Sequence, residues 1–427
     1  MKPCKVRAFA ACVAATVAKL LLVLSMLPAA ARADELADGI AHFNAGRYAE
    51  AFQAYRVAGQ KGVAQAQNNL GALYGSGKGV ARDDRQAVHW YRLAAAQGNA
   101  RAHSNLGGMY RGGYGVELDL AQALSWYRQA ADLGDGEGQY NLAWLYLKGA
   151  PGVTRDTTLG LSWMRASAEQ GFVEAQADLG ILLASGDAGV AQDTSSAWMW
   201  TRRAADQGFA RAQHNLGVFY LSGPQADPGL AFRWTSLAAR QGHAEAQVNL
   251  GIFYANGRGV TQSADQAIRW FRLAAEQGNV SGQLNLGVTY ADGKIIERDL
   301  AEAARWFGLA TENGDARAAG HLGFMYLRGE GVAADPERAR ALLGRAAEHG
   351  LQQAQFELGF MLTRGVGGPR DDAQAARWFA KSARQGNAGA RRALSTMYRY
   401  GEGVPQDANY ADLLLQGAEI DTARLGP

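Results

Sequence analysis

Cysteine is nearly absent. The chain has two, Cys4 and Cys12, and both fall in an N-terminal segment that is expected to be removed. What remains holds no thiol, which excludes a disulfide framework and a cysteine metal site. Proline is also scarce, with 9 in 427 residues, so neither a collagen-like repeat nor proline-rich disorder is available. At 48% hydrophobic and 19% charged, the chain is too apolar to be disordered. No surplus of one charge exists either. The formal net charge of +3 comes from Lys2, Lys5, Arg7, Lys19 and Arg32, which all precede the first acid, Asp34; beyond it 38 basic residues face 40 acidic ones. That balance gives no reason to expect nucleic acid or an anionic membrane as a partner. No later segment is long and apolar enough to span a bilayer, so a soluble product without stable membrane insertion is expected.

Catalytic signatures are missing as well. The seven histidines are scattered singly, with no His-Glu-x-x-His pattern, and no serine sits in a Gly-x-Ser-x-Gly setting. No catalytic residue, cofactor or metal site is therefore expected, and an enzyme is the least supported class. Glycine runs such as Gly75-Ser76-Gly77-Lys78-Gly79 resemble phosphate loops only superficially, because they recur as turns and follow no strand. The acidic pairs Asp83-Asp84 and Asp371-Asp372 sit where helices begin, which favours capping over acid-base chemistry.

The N-terminus has a positive start, an apolar core ending in the run Leu20 to Leu27, Pro28, and the small-residue triplet Ala31-Arg32-Ala33. This reads as a secretory signal cleaved after Ala33, giving a periplasmic or secreted protein. Its alanine-rich composition favours a bacterium.

What the sequence has in abundance is glycine, 54 residues or about 13%, against about 7% in an average chain. The glycines are periodic. Asn69-Leu70-Gly71 with Tyr74 returns at Asn105, Asn141, Asp178, Asn215, Asn249, Asn285, His321, Glu357 and Ala393, at a mean spacing of 36 residues. About 21 residues after most of these anchors stands a tryptophan, from Trp90 to Trp378, with leucine at Leu342 and Leu414 instead. A small pair such as Ala94-Ala95 and a closing glycine such as Gly98 follow. Leu70 and Tyr74 share one helical face, and Gly71 lets a second helix come close. Glycines 75, 77 and 79 suit a turn, Asp83 or Asp84 a helix cap, and Trp90 with Ala94-Ala95 a second helix facing the first. Each unit is thus an antiparallel helical hairpin. The repeated asparagine is expected to be buried and bonded to neighbouring backbone.

Asn-Leu-Gly-x-x-Tyr, the Gly77-x-Gly79-Val80 turn, and Trp-Tyr-x-x-Ala-Ala closed by Gln97-Gly98 resemble the Sel1-like repeat family, relatives of the tetratricopeptide repeat. The resemblance covers about residues 36 to 420. It implies an all-α fold, a right-handed α-solenoid of stacked antiparallel hairpins in one elongated domain. Its expected parts are a signal peptide at 1–33, a tetratricopeptide-like hairpin at 34–66, the solenoid at 67–420 and a tail at 421–427. Repeat five departs through a short loop with Pro224 and Pro228, repeat seven through Lys294-Ile295-Ile296, and repeat eight through its missing tryptophan. Leu413 to Leu415 are placed either to cap the last hairpin or to pair two chains. A cysteine-bridged branch of the family is not resembled.

Residues that recur are explained by stacking, so a singular site is sought among those that vary. Counted from the anchor, positions −4, −1, +3, +6 and +7 form the arc opposite the constant apolar one. The resemblance implies that this arc lines a concave groove. The candidate partner-binding residues there are Tyr140, Trp144, Ile181, His214, Val218, Ile252, Leu284, Phe324, Phe356 and Phe360, with Arg101, Glu137, Glu174, Arg211, Glu245 and Arg317 on the rim. Trp144 reads equally as a partner contact or as packing between repeats, and Trp198 as core. An apolar floor with mixed-sign rims suits an extended or helical protein segment. The expected function is a non-enzymatic scaffold or adaptor in the bacterial envelope, binding an envelope or host protein segment. The family implies roles in envelope signalling, exopolysaccharide regulation or host interaction. The alternative is a carbohydrate-binding module in polysaccharide assembly, with Tyr140 and Trp144 as a stacking platform.

Overall fold

The computed structural model describes residues 29–222 and 225–425. Both cysteines, Pro224 and the expected signal segment lie outside the described residues, except that residues 29–33 begin the first helix. Twenty-two α-helices follow one another, with no β-strand among the described residues. They pair as hairpins. The first five are α1 (Ala29–Asn44) with α2 (Tyr48–Gln60), α3 (Ala64–Ser76) with α4 (Asp84–Ala95), α5 (Ala100–Gly112) with α6 (Leu120–Asp132), α7 (Gly136–Lys148) with α8 (Thr157–Glu169), and α9 (Val173–Ser185) with α10 (Thr194–Asp206). Then come α11 (Ala210–Ser222) with α12 (Pro228–Arg240), α13 (Ala244–Asn256) with α14 (Ala264–Glu276), and α15 (Val280–Asp292) with α16 (Leu300–Glu312). The last three are α17 (Ala316–Arg328) with α18 (Pro336–Glu348), α19 (Gln352–Arg364) with α20 (Asp372–Arg384), and α21 (Ala388–Tyr400) with α22 (Ala408–Leu415). Two compact units divide between Gln207 and Gly208, the first holding α1 to α10 and the second α11 to α22.

Every second helix from α4 onward starts at a side-chain cap. The Asp83 carboxylate accepts from the Arg85 and Gln86 amides at 3.0 Å, and Asp119, Asp156, Asp193, Asp227, Asp299, Asp335, Asp371 and Asp407 repeat the contact, with Ser263 doing so once. Such a cap contributes about 1 kcal/mol. Of the acidic pair, Asp83 caps and Asp84 pairs with Arg82 at 3.0 Å. The Gly-x-Gly turn has a second role. Gly77 ends α3 in the left-handed region, while a Cβ on Gly79 would lie 2.2 Å from the carbonyl oxygen of Tyr48 in the preceding hairpin. Glycine is thus required at 79 by stacking as well as by its φ of +71°.

Within a hairpin, the two helices meet at the glycine two residues after the anchor. A Cβ there would come 2.7 Å from Tyr91 at Gly71, 2.5 Å from Tyr127 at Gly107, 2.5 Å from Phe271 at Gly251 and 2.6 Å from Phe379 at Gly359. In each case the opposing ring is the residue after the tryptophan. This corrects the expectation for Trp90: Tyr91 meets α3, whereas Trp90 reaches back to the preceding hairpin, 3.5 Å from where a Cβ on Gly59 would stand. Trp126 packs likewise on the Val88 and Tyr91 cluster, and Trp270 on Ala238 and Ala239. One side chain therefore closes the hairpin and its neighbour joins hairpins. In the last hairpin Leu414 is fully buried, while Leu413 and Leu415 are exposed.

Buried glutamines make a second joint. Gln67 donates to the Gly59 carbonyl at the end of α2 at 2.9 Å and accepts from Gln97 at 2.7 Å, so one amide ties three helices. Gln176 with Gln207, Gln247 with Gln277, and Gln355 with Gln385 repeat the arrangement. The first-helix amide of each pair, Gln67, Gln176, Gln247 or Gln355, is buried yet bonded at both ends, which removes the cost of burying it.

Two alanine substitutions should move stability in opposite directions. Gly107→Ala forces a methyl onto the ring of Tyr127, which is 1% exposed and has no room to retreat, and should destabilise by about 1–3 kcal/mol. Gly344→Ala, in α18 with nothing within 4 Å of its Cβ position, should stabilise by about 0.5–1 kcal/mol. Urea melts of both variants check the pair.

Candidate partner-binding face

The outward positions of the first helices carry the candidate residues, and the structure sorts them by depth. Position +3 reaches the surface: Val218 is 41% and Ile252 39% exposed, and Trp144, Ile181, Phe324 and Phe360 are half-buried. Position −1 lies deeper. Leu284 is only 7% exposed and belongs to a core cluster, so it supports the face from beneath and does not line it, which corrects its placement. Tyr140, His214 and Phe356 are half-buried, and Phe356 packs toward the next first helix, 2.8 Å from a Cβ position on Gly389. On the rim Arg101, Glu245 and Arg317 are exposed, and Glu137, Glu174 and Arg211 half-buried. Trp198 is half-buried on α10.

In the first unit the face is a bonded network. The Asp178 carboxylate accepts from the Tyr140 hydroxyl at 2.6 Å and from the Trp144 indole N–H at 3.1 Å, across a hairpin boundary. Arg101 donates to Asp135 at 3.1 Å and to Glu137 at 2.9 Å, while Arg111 donates to Asn141 at 3.1 Å. Burial raises the Glu137 pKa, with Arg101 opposing. The repeated asparagines do bond backbone at Asn141 and Asn285, to the carbonyls of Glu137 at 3.0 Å and Ser281 at 2.8 Å. Most of that column is half-buried, against the expected burial, because it stands at the edge of the apolar stripe.

A pattern missed in the sequence links the surface aromatics. Each aromatic at +3 has a cation four residues on, above its ring: Lys148 Nζ at 4.6 Å from the Trp144 centroid, Arg328 at 5.5 Å from Phe324, and Arg364 at 5.3 Å from Phe360. The i,i+4 spacing was the available signal. Phe356 and Phe360 also meet edge to face at 4.8 Å.

The histidines are not all single. His214 and His243 stack with centroids 4.9 Å apart, His243 Nδ1 lies 3.4 Å from Glu245, and Arg211 carries charge nearby. Burial first, and then His243, pushes the His214 pKa down to about 4. Among the described residues no cluster of three metal-ligating side chains forms, and no helix is long and apolar enough to cross a membrane.

Comparison with known families settles the repeat. Ten consecutive stretches match the Sel1 repeat: residues 64–99, 100–135, 136–172, 173–209, 210–243, 244–279, 280–315, 316–351, 352–387 and 388–411. The chain belongs to the Sel1 repeat family. Its ten Sel1 repeats start at α3, and the hairpin before them uses the same crossing, with a Cβ on Gly39 only 2.5 Å from Tyr55. Among solved structures it is similar to c5321, a protective antigen of uropathogenic Escherichia coli strains with an SLR fold, at 31% identity and TM-score 0.70, over 92% of this chain and 89% of that one. A Sel1 repeat protein from Oxalobacter formigenes is similar at 32% identity and TM-score 0.59, over 72% of this chain and 90% of that one. No curated protein matches. The fold is an all-α solenoid of sequential hairpins, of a kind that generally serves as a non-catalytic scaffold for protein–protein interaction.

Because the folded pKa of His214 lies below its unfolded value of about 6.5, the unfolded chain binds more protons between about pH 6.5 and 4. Stability held above that window is lost as the pH falls through it. His214→Gln should lose less melting temperature than the parent between neutral pH and pH of about 4.5. Parallel thermal melts, in which the shared carboxylate contribution cancels, check this.

Proposed function

We propose that this Sel1 repeat protein is a non-enzymatic scaffold, exported to the bacterial envelope, that binds a polypeptide segment along the outward face of its first helices. The observation that carries the reading is the run of apolar side chains at position +3 in the second unit. Val218 and Ile252 are both more than a third exposed, and Phe324 and Phe360 follow, each beneath an exposed arginine. Stacking needs no bulky apolar group at these positions, since Ala72, Gly108 and Thr396 occupy them elsewhere. Exposed apolar positions with cations above them fit a segment that offers apolar side chains and carboxylates together. That c5321 is a protective antigen supports the same reading of export. Envelope signalling, exopolysaccharide regulation or host interaction is the setting we propose for this function.

The carbohydrate alternative draws less support. A sugar needs an open aromatic face, whereas Lys148 covers Trp144 and Asp178 holds the polar edges of both Trp144 and Tyr140.

A photo-crosslinking amino acid placed at Val218, Ile252 or Phe324, and in control chains at the exposed second-helix residues Leu237 or Leu273, tests the face in the native envelope. One partner protein should be captured from the first set and not the second. Equal capture from both sets, or none from the first, overturns the reading.

A further inference from the structure

The hairpin of α17 and α18 lacks the tryptophan that joins most hairpins, and Leu342 stands in its place; the last hairpin, with Leu414, shares this substitution, but α17–α18 alone has it with a hairpin stacked on either side. Two further departures lie opposite Leu342 on α16. Gly308 occupies the position held by Arg92, Arg128, Arg165, Arg202 and Arg272 in other hairpins and by the smaller Ser236, Gly344 and Ala380 elsewhere in the second unit; Arg92 and Arg272 bond the next tyrosine hydroxyl at 2.8 and 3.0 Å. Thr311 replaces the alanine of the small pair, and its buried hydroxyl oxygen has no hydrogen-bond partner among the described residues. Together these changes leave a cavity of about 860 Å³ between α16 and α18, whose lining includes Gly308, Thr311 and Leu342. Its size falls in the range of ligand pockets.

We infer that this cavity is a docking site for an aromatic side chain, an indole above all, presented by a partner polypeptide. Its place in the stack names the shape: Trp270, Trp306 and Trp378 fill the corresponding space between other hairpins of this unit with an indole of their own. Three guanidiniums, of Arg305, Arg338 and Arg345, stand around an apolar floor, and an arginine over an aromatic face is an attractive contact. The mouth is close to neutral, because Arg305 pairs with Glu302 at 3.1 Å, Arg338 with Asp335 at 3.2 Å, and Glu312 stands beside them. A neutral peptide backbone suits such a mouth better than a free anion. Leu322 and Tyr326 of α17 and Val332 of the turn complete the lining, but none of the candidate residues of the first-helix face belongs to it.

The test titrates the full chain with N-acetyl-L-tryptophanamide, followed by calorimetry and saturation-transfer NMR. Saturable binding at one site, with a Kd of about 0.1–1 mM, is expected. Leu342→Trp, which restores the missing indole, should weaken it by at least about tenfold and raise the melting temperature. Gly308→Arg, at the rim, should weaken it in the same direction and stands in if Leu342→Trp fails to fold. N-acetyl-L-leucinamide should bind far more weakly. No saturable binding to the parent chain, unchanged binding to both folded variants, or equal binding of the leucine compound overturns the inference. Tighter binding of free indole-3-acetate than of the capped tryptophan overturns the polypeptide source.

Discussion

Paired helices in this protein approach so closely at one point that a single methyl group would not fit between them. A Cβ at Gly71, Gly107, Gly251, Gly287 or Gly359 would stand 2.5–2.7 Å from the facing ring. The requirement is on the crossing, not on glycine at one address. In the third Sel1 repeat the glycine is Ala143, and the small residue moves across to Gly160, whose Cβ position is 3.0 Å from the Ala143 carbonyl oxygen. Elsewhere the facing ring shrinks to Thr201 or Thr235, and the glycine stays. Close approach buries the aromatic beside the tryptophan, and that fixes which way the tryptophan points, back onto the previous hairpin.

Much of this was legible because it repeats. Ten occurrences of one phrase gave the hairpins, their order, the capping aspartates and the left-handed glycines, since helical spacing and turn chemistry act within a few residues. Contacts between hairpins were less legible. Trp90 and Tyr91 are neighbours, so composition does not say which faces inward and which faces the next hairpin; only the crossing geometry does. The glutamine joint was overlooked because Gln67 looks like a surface residue, and its burial goes with a bond to Gln97, 30 residues on. The face was read a little too wide for the same reason. At 100° per residue, −1 and +3 lie on one arc, yet neighbouring hairpins cover the −1 side, so Leu284 sinks while Ile252 stays exposed.

Stacking also decides where variation is allowed. Most hairpins present the same joints to their neighbours: a small residue, an aromatic, a tryptophan, a capping carboxylate and a glutamine pair. Positions outside those joints are free to differ, and they do so with chemistry that stacking does not explain. Asp178 takes the place of an asparagine and gathers the polar edges of Tyr140 and Trp144. His214 and His243, which belong to successive hairpins, share one stack. Cations above Trp144, Phe324 and Phe360 recur without forming a joint, so they belong to the outer surface and not to the fold.

A departure at a joint has a different meaning from one on a free surface, because it costs stability. The α17–α18 hairpin gives up two joints at once. It has Leu342 for tryptophan, and Ala319 and His349 where most hairpins place a glutamine pair, and α16 beside it has Gly308 where half of the Sel1 repeats have arginine. In a quasi-one-dimensional fold such losses are felt between the two hairpins that share the joint and are not spread over the whole chain. The space left there is a place where an added ring would restore contacts that the sequence omits. Binding at that position draws on the same free energy that tryptophan supplies in the other hairpins, so recognition and stability of the stack are coupled there.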